Sequence, residues 1–280
     1  MYLSPISFLI EDIKGAFTIN SQSFFSAIHD LAPNFDKKIT IKIVSNRTKG
    51  IGVLKARCNV ETGLIEINEC LLCAIWAASY FVGNAFVSLN DYLSSKNDKL
   101  NIETVAMELV DYAKSLQPSY ADWHEELPIP QDYKTNQYAD LANLITPIAV
   151  DVILCHELAH LFLHHTPNGG KQQEIDADNL AIDWIIDSQR EPYPIKELAV
   201  MTSFASMILV DISADKGGKH HPSSFLRIMN YIDRLGIEEN DVLWALAILI
   251  YRAWEKSFRI TEFDSPSRDV SFRQSFISII

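Results

Sequence analysis

The spacing of apolar residues divides the chain into a short β-rich stretch and a long helical part. Ile39 to Val44 is β-branched with partial alternation, a pattern typical of a strand. Further on, the runs Gly52 to Val60 and Leu64 to Ile67 flank Glu61-Thr62-Gly63, which predicts a hairpin. We therefore expect a small N-terminal antiparallel sheet within residues 37–68.

From residue 69 onward, apolar positions recur with helical spacing, and turn signals separate the segments. Residues 117–138 are rich in Pro, Tyr, Asp and Glu and predict a long loop, either a cover for a cleft or a surface connector. The predicted helices cover about 70–89, 101–116, 146–165, 172–188, 195–212, 222–235 and 239–256.

These elements predict an α+β fold that is mainly helical. We expect a single domain over residues 1–280, with 37–68 β-rich and 69–258 helical, because 48% of the residues are hydrophobic and can form one core. The tail after Glu262 is expected to be partly mobile unless its aromatic residues dock on that core.

No charged residue occurs between Cys70 and Leu89. The run is about 20 residues long, which is enough for a helix to cross a bilayer. Its flanks are Glu69 and Asp91, however, and a spanning helix usually has a basic cytoplasmic flank. We favour a buried helix that packs under the helix of residues 146–165, and keep an inner-membrane anchor through 70–89 as the alternative.

The charge balance narrows the classes of partner. Lys and Arg number 24 against 36 Asp and Glu, for a net charge of −12. Nucleic acid and anionic membranes attract basic surfaces, so neither is an expected partner. Cys70 and Cys73 form a single C-x-x-C pair, so a structural zinc site is not expected, and a reducing compartment suits the chain. The start of the sequence lacks the basic region of a secretory signal, and we expect a cytoplasmic protein.

The segment 156–160 reads His-Glu-Leu-Ala-His. Two histidines four residues apart on a helix lie on one face, so both imidazoles can bind the same metal ion. Between them, Glu157 lies beside the coordination position that such a site leaves open for water. Thr146 and Pro147 predict the start of this helix as N-cap and N1 residues, and Thr166 to Gly170 predicts its end.

A second helix is expected to supply the third ligand and its support. Glu174 would complete two His and one carboxylate, which is the ligand set of catalytic zinc. Asp178 lies four residues further along the same helical face, where it can accept the second ring N–H of a ligating histidine. The predicted Zn²⁺ site, with His156, His160 and Glu174 as ligands, falls within residues 146–188.

Two other histidines, His164 and His165, compete for the role of third ligand. Zinc proteases with a longer signature have Gly at the seventh position after the first His and a third His at the tenth. In this chain those positions are Leu163 and Thr166, which excludes that pattern. His164 lies about 12 Å from His156 along the helix axis, too far to share its metal. We expect His164 to be a helix-end residue near the last carbonyl groups.

The HExxH segment followed by ExxxD on the next helix resembles the gluzincin clan of zinc peptidases, and the Glu-x-x-Ala-Asp form resembles its HtpX-like branch. Residues 221–228, His-Pro-Ser-Ser-Phe-Leu-Arg-Ile, are similar to the His-Pro-x-x-x-x-Arg-Ile segment that follows the ligand helix in that branch. This resemblance implies that His221 stabilises the oxyanion of the reacting carbonyl and that Arg227 supports the site. The alternative for His221 is an ordinary residue at a helix start.

The layout of the chain also resembles the Lit phage-exclusion peptidases, a family of bacterial suicide proteases. In that family the zinc motif likewise lies a little past the midpoint of a chain of similar size. A β-rich stretch and an apolar segment with Ile-Trp-Ala precede it, as Ile75 to Ala77 does here. The resemblance implies a zinc endopeptidase that cleaves elongation factor Tu when a phage capsid peptide is bound to it.

Two other interpretations stay open. A regulatory protease of the ImmA/IrrE type, which cleaves a repressor, also carries HExxH and a later acidic ligand. A helix-turn-helix with a basic recognition helix, often found in such proteins, is not evident in this sequence. The second alternative is a non-catalytic zinc-binding or membrane-associated interaction protein, which would have no need of a general base such as Glu157.

Overall fold

The computed structural model of the protein describes residues 4–18, 40–44, 54, 56–59, 62–94, 99–117, 121–166, 169–186, 194–219, 221–259 and 272–279. The strands are β1 (Thr40–Val44), β2 (Ala56–Asn59) and β3 (Leu64–Asn68). The first helices are α1 (10–18), α2 (Glu69–Leu93), α3 (Thr104–Ser115) and α4 (Gln137–Phe162). The later ones are α5 (Lys171–Ile185), α6 (Ile195–Ile208), α7 (Ser224–Arg234), α8 (Val242–Arg259) and α9 (Phe272–Ile279). The predicted class, mainly helical with a small N-terminal sheet, is confirmed.

The sheet is mixed, with the strand order β1-β3-β2. The predicted hairpin is confirmed, since β2 pairs antiparallel with β3 and Gly63, at φ 69°, donates its N–H to the Asn59 carbonyl at 2.8 Å. The expectation of an antiparallel sheet is wrong for β1, which runs parallel to β3 with Thr40 opposite Leu64. A tight turn imposes antiparallel pairing only on the strands that it joins, and β1 reaches β3 through the longer segment that contains β2. Ile39, the first residue of the predicted strand, lies outside the described residues.

Helix α2 follows β3 without an intervening loop, because the last residue of β3 is also the helix cap. Oδ1 of Asn68 accepts the N–H of Cys70 at 2.8 Å. The helix packs against α3, α4, α6 and α8, and 94% of its most apolar window is buried, as expected for a core helix under α4. By length and composition both α2 and α4 are able to cross a membrane, a property that core helices of soluble proteins share.

Helix α4 begins earlier than the sequence predicts. Asn136 caps it by accepting the N–H groups of Tyr138 and Ala139, so Pro147 lies inside the helix rather than at its start. The predicted N-cap Thr146 is fully buried and donates its hydroxyl to Ser79 of α2 at 2.9 Å. A proline inside a helix costs about 3 kcal/mol. Burial of α4 against α2 and α6 offsets that cost, so the helix continues through the proline.

The end of α4 is a Schellman motif, which closes the helix before the predicted stop. His164 has φ 54°, in the left-handed region, and donates its N–H to the Leu161 carbonyl at 3.3 Å. The next amide, that of His165, donates to the carbonyl of His160 at 3.0 Å. The chain therefore turns back on itself and brings the His165 side chain next to the last turn of α4.

The C-terminal part of the described chain docks on the core. Phe276 of α9 is fully buried, with its ring 5.9 Å from the ring of Trp244 and 6.4 Å from that of Phe225. The aromatic residue therefore docks as the sequence allowed. The expectation of mobility in the first part of this tail, residues 263–271, falls outside the part that the structure describes.

Candidate functional site

Helix α4 presents both histidines of the HExxH segment on one face. Nε2 of His156 and Nε2 of His160 are 3.1 Å apart, and their rings lie nearly perpendicular at 86°. One helical turn separates the two residues, so the spacing in the sequence produces this pair directly. Both side chains are mostly buried, and His156 lines the wall of a cleft.

Glu174 reaches the same point from α5. Its Oε2 lies 3.5 Å from Nε2 of His156 and its Oε1 lies 3.5 Å from Nε2 of His160. All three ligand atoms lie within 4.8 Å of one another. Ligands at about 2.0–2.1 Å from a tetrahedral metal are about 3.3 Å apart, because a tetrahedron's edge is about 1.6 times its centre-to-corner distance. The three side chains therefore fit one tetrahedral metal ion without rearrangement of the helices.

Asp178 and Arg227 support this group from behind. Oδ1 of Asp178 lies 2.9 Å from Nδ1 of His156, on the side of the ring that faces away from Glu174. Arg227 of α7 binds the carboxylate through Nε at 2.6 Å and Nη2 at 2.5 Å. Although burial opposes ionisation, the charge of Arg227 and the contact with His156 hold the pKa of Asp178 well below its usual range. Asp178 thus lies where helical spacing predicted it, and Arg227 lies beside the group, as the resemblance implied.

The guanidinium of Arg227 is itself enclosed. It contacts the sulfur of Met207 at 3.3 Å and lies 5.2 Å from the ring centroid of Phe204, both on α6. Its side chain is 9% exposed, so the ion pair with Asp178 is almost entirely removed from water. Burial favours loss of this charge, but Asp178 outweighs it and raises the pKa of Arg227. A buried cation therefore lies behind Asp178 and His156.

His165 contacts His160, an arrangement that the sequence did not reveal. Its Nδ1 lies 2.8 Å from Nδ1 of His160, and the ring centroids are 5.0 Å apart. The pair forms because the chain turns back at His164, whose left-handed backbone is not encoded by any strong local signal such as glycine. The adjacent His-His doublet near the end of a predicted helix was the available clue.

His221 approaches the site from the loop between α6 and α7. Its Nδ1 lies 3.0 Å from Oε2 of Glu174, and its side chain is 66% exposed at the mouth of the cleft. It is not among the described residues whose ligand atoms cluster within 4.8 Å. Helix α7 begins after it, with Ser223 as N-cap accepting the N–H of Leu226 at 3.2 Å. The histidine is therefore beside the ligand group rather than part of the helix cap.

The loop that carries His221 is folded tightly on itself. Gly217 has φ 63°, and a Cβ added there would lie 2.6 Å from the backbone nitrogen of Ser223. The amide of Gly218 donates to the carbonyl of His221 at 2.9 Å, and that of Ser224 donates to Ala214 at 3.1 Å. Two backbone bonds and one close approach thus fix the position of His221.

Glu157 faces a cleft of about 670 Å³. Burial raises the pKa of its carboxyl group, while the charge of His156 and a hydrogen bond from the backbone of Cys58 act in the other direction. The cleft is bordered by β2 on one side and α6 on the other, and the structure describes no strand on the outer edge of β2. Its lining includes Leu54, Ala56, Val152, Phe204 and Met207. The site is therefore a largely apolar groove with Glu157, His156 and Glu174 in its lining.

The three candidate ligands, His156, His160 and Glu174, differ in their pKa values. Burial opposes the charge on His156, but its contacts with Asp178 and Glu174 raise its pKa to about 9. Burial and the charge of His156 lower the pKa of His160 to about 4. Burial opposes ionisation of Glu174 as well, yet His156 and its neighbours lower that pKa to about 2. At neutral pH without metal, His156 is protonated, His160 is neutral and Glu174 is ionised.

Comparison with known proteins identifies the family. No curated protein and no solved structure matches the chain. The peptidase U49 family matches residues 65–247, which is more than half of the chain and runs from β3 into α8. That stretch holds every candidate residue of the site, from His156 to Arg227. The chain therefore belongs to the peptidase U49 family and is a peptidase with a candidate metal site.

Proposed function

We propose that the protein is a zinc-dependent endopeptidase that hydrolyses one peptide bond in a host protein. The observation that carries this proposal is the convergence of Nε2 of His156, Nε2 of His160 and the Glu174 carboxylate at distances of 3.1–3.5 Å. Two imidazoles and one carboxylate are the donor set of catalytic zinc sites, which leave a further coordination position open. Glu157 beside them supports a hydrolytic rather than a structural role.

Zinc at this site would supply a Lewis acid that polarises the scissile carbonyl and makes water a better nucleophile at neutral pH. The chain's own residues do the proton transfers and the positioning. Glu157 accepts the proton of the attacking water and passes it to the leaving amine. Its raised pKa suits this double role, because the protonated form is easier to reach during the reaction.

His221 is proposed to stabilise the negative charge that develops on the carbonyl oxygen. Its exposed imidazole at the mouth of the cleft supports this role, and so does its position outside the ligand cluster. A donor aimed at the developing oxyanion stabilises the transition state more than the ground state. Asp178 and Arg227 act one step further back, because they hold the ring of His156 in the orientation that places Nε2 towards the metal.

The outer edge of β2 is proposed to bind the substrate backbone. Leu54 and Ala56 line the cleft together with Glu157, and the backbone of Cys58 already hydrogen-bonds to that glutamate. An extended peptide can add to such an edge through main-chain hydrogen bonds, and apolar side chains then fit the groove. A substrate bound in this way would lie directly across the catalytic carboxylate.

The test of the catalytic proposal separates chemistry from metal binding. Glu157→Gln is expected to lower hydrolysis by about 100- to 10,000-fold and to keep stoichiometric zinc, since the amide cannot act as a base. His156→Ala is expected to lose zinc. The exposed Glu125 lies outside the cleft lining, so Glu125→Gln serves as the matched control. Full activity in Glu157→Gln, or full zinc content in His156→Ala, would contradict the proposal.

We further propose a role in phage defence, with elongation factor Tu as the cleaved protein and a bound phage capsid peptide as the trigger. The support is the resemblance to the Lit phage-exclusion peptidases together with membership of the U49 family. A cytoplasmic location follows from that substrate and is supported by the burial of α2 inside the protein. Mass spectrometry of host proteins after induction, with and without the capsid peptide, compares the parent with Glu157→Gln. Fragments of another protein, or the same fragments in both strains, would exclude this substrate.

A further inference from the structure

We propose that His165 is a positioning residue for the metal centre, in which it accepts the Nδ1–H of His160 and fixes that ligand's tautomer and ring orientation. This inference rests on the proposed function, because it requires a metal at Nε2 of His160. His165 lies outside both the HExxH segment and the ExxxD segment, so neither motif assigns it a role. The geometric basis is the distance of 2.8 Å between the two Nδ1 atoms.

The two nitrogens of His160 are oriented by different neighbours. Nε2 faces the centre of the group, 3.1 Å from Nε2 of His156 and 3.5 Å from Oε1 of Glu174. A metal bound there takes the Nε2 lone pair, so the neutral ring must carry its proton on Nδ1. That N–H then points at Nδ1 of His165, which accepts it and keeps its own proton on Nε2. The contact between two ring nitrogens thus has one consistent assignment of protons.

The first ligand is held in the same manner, but by a different group. Nδ1 of His156 lies 2.9 Å from the Asp178 carboxylate, which Arg227 binds in turn. Ligating histidines generally donate their second N–H to such a partner, and the partner fixes the ring. Here one ligand has a carboxylate partner and the other has an imidazole. A neutral imidazole partner raises the basicity of a ligand less than a carboxylate does, so His160 would be the less basic ligand.

The fold places His165 for this role through the backbone. The left-handed residue His164 reverses the chain, and the amide of His165 donates to the carbonyl of His160 at 3.0 Å. The backbone bond and the side-chain contact thus join the same two residues. Because the backbone bond does not depend on the side chain, His165 can be substituted without removal of the helix end.

Zinc affinity measured by competition with a chelator tests the proposal without any assay of hydrolysis. His165→Ala is expected to bind zinc about 10- to 100-fold more weakly. His165→Asn should regain most of that affinity, because its Oδ1 occupies nearly the position of Nδ1. His164→Asn is the matched control, since His164 is exposed and Asn tolerates the left-handed backbone. It should bind zinc as the parent does.

The visible absorption spectrum of the Co²⁺-substituted protein gives an independent readout of ligand geometry. The spectrum of His165→Ala should shift, and that of His165→Asn should resemble the parent. His165→Leu, which keeps the bulk of the ring without an acceptor, replaces the alanine variant if that one does not fold. Unchanged zinc affinity and spectrum in the alanine or leucine variant would overturn the proposal, as would equal weakening in His164→Asn. Normal metal binding with no hydrolysis in the parent would contradict the proposed function and leave the effect of His165 measurable.

Discussion

Arg227 binds Asp178 through two parallel hydrogen bonds, Nε to Oδ2 at 2.6 Å and Nη2 to Oδ1 at 2.5 Å, in a place where both side chains are about nine-tenths buried. A buried charge without a partner lowers the stability of the fold strongly, whereas a buried pair of opposite charges changes it little. The fork of the guanidinium matches both carboxylate oxygens, a match that a lysine ammonium cannot reproduce. The pair therefore links α7 to α5 and holds the carboxylate that contacts Nδ1 of His156.

Removal of Arg227 is expected to destabilise the fold strongly. Arg227→Met should lower the free energy of unfolding by up to about 3–5 kcal/mol, because the buried Asp178 loses its guanidinium partner and keeps only His156 beside it. Urea denaturation of the metal-free protein measures this loss. Arg234→Met is the matched control, since Arg234 pairs with Asp183 at 2.6 Å on the surface and should contribute less than about 1 kcal/mol. Similar losses of stability in both variants would show that the burial of the Arg227–Asp178 pair does not set its contribution.

Substitution of Gly217 is expected to impair catalysis more than metal binding. In Gly217→Ala the new Cβ would lie 2.6 Å from a backbone nitrogen of the loop that carries His221, so that loop must shift. The rate constant kcat should fall at least about tenfold, equivalent to about 1.4 kcal/mol of transition-state stabilisation, with zinc content unchanged. Gly218→Ala has open space around its Cβ and should keep nearly full activity. Loss of zinc in Gly217→Ala would point instead to general disruption of the site.

Zinc binding is expected to release about one proton at pH 7.5. In the metal-free protein the pKa of His156 is about 9, above its ordinary value, so a proton must leave before Nε2 can bind metal. His160, with a pKa of about 4, and Glu174, with a pKa of about 2, have already lost theirs. Affinity should therefore rise about tenfold per pH unit from about pH 5 to about pH 9 and then level off.

Calorimetry in buffers of different ionisation enthalpy counts the released protons directly. The same pKa also affects the metal-free fold. Because the folded pKa of His156 lies above the unfolded value, its stabilising contribution is complete below about pH 6.5 and is lost as the pH rises to about 9. The melting temperature of the metal-free protein should fall over that interval. Release of no proton at pH 7.5 would contradict the charged state of His156.

Docking of α9 is expected to contribute to global stability. Phe276→Ala should lower the free energy of unfolding by about 3–5 kcal/mol, because it leaves a cavity beside Trp244. The neighbouring Ile277 is 43% exposed, so Ile277→Ala should cost about 1 kcal/mol or less. Thermal unfolding of both variants measures the difference. A negligible effect of Phe276→Ala would mean that α9 does not fold with the rest of the protein.

The sequence predicted proximity correctly for residues that are related by helical periodicity. His156 and His160 are four residues apart on α4, and Glu174 and Asp178 are four apart on α5, so each pair shares a face by geometry alone. The meeting of the two helices required tertiary packing, which the buried apolar character of α4 favours but does not specify.

The errors have physical causes that lie beyond local sequence. Pro147 is a good first residue for a helix, yet burial of the preceding turns and the cap at Asn136 extend α4 through it. The contact between His160 and His165 depends on the left-handed backbone of His164. Residues other than glycine rarely adopt this conformation, so residue preferences do not indicate where it will occur. The parallel pairing of β1 depends on a connection between strands rather than on the strand's own residues.

Because α2 follows β3 directly, the sheet and the helices are expected to move together, which affects the kind of substrate that can bind. Strand β2, which borders the cleft, belongs to a sheet that can move away from α4 only if α2 moves too, and a hydrogen bond between Thr146 and Ser79 joins α2 to α4. We expect the opening to keep a nearly constant width. We therefore expect a substrate to enter the cleft as an extended segment of chain, and tightly folded surfaces to resist cleavage.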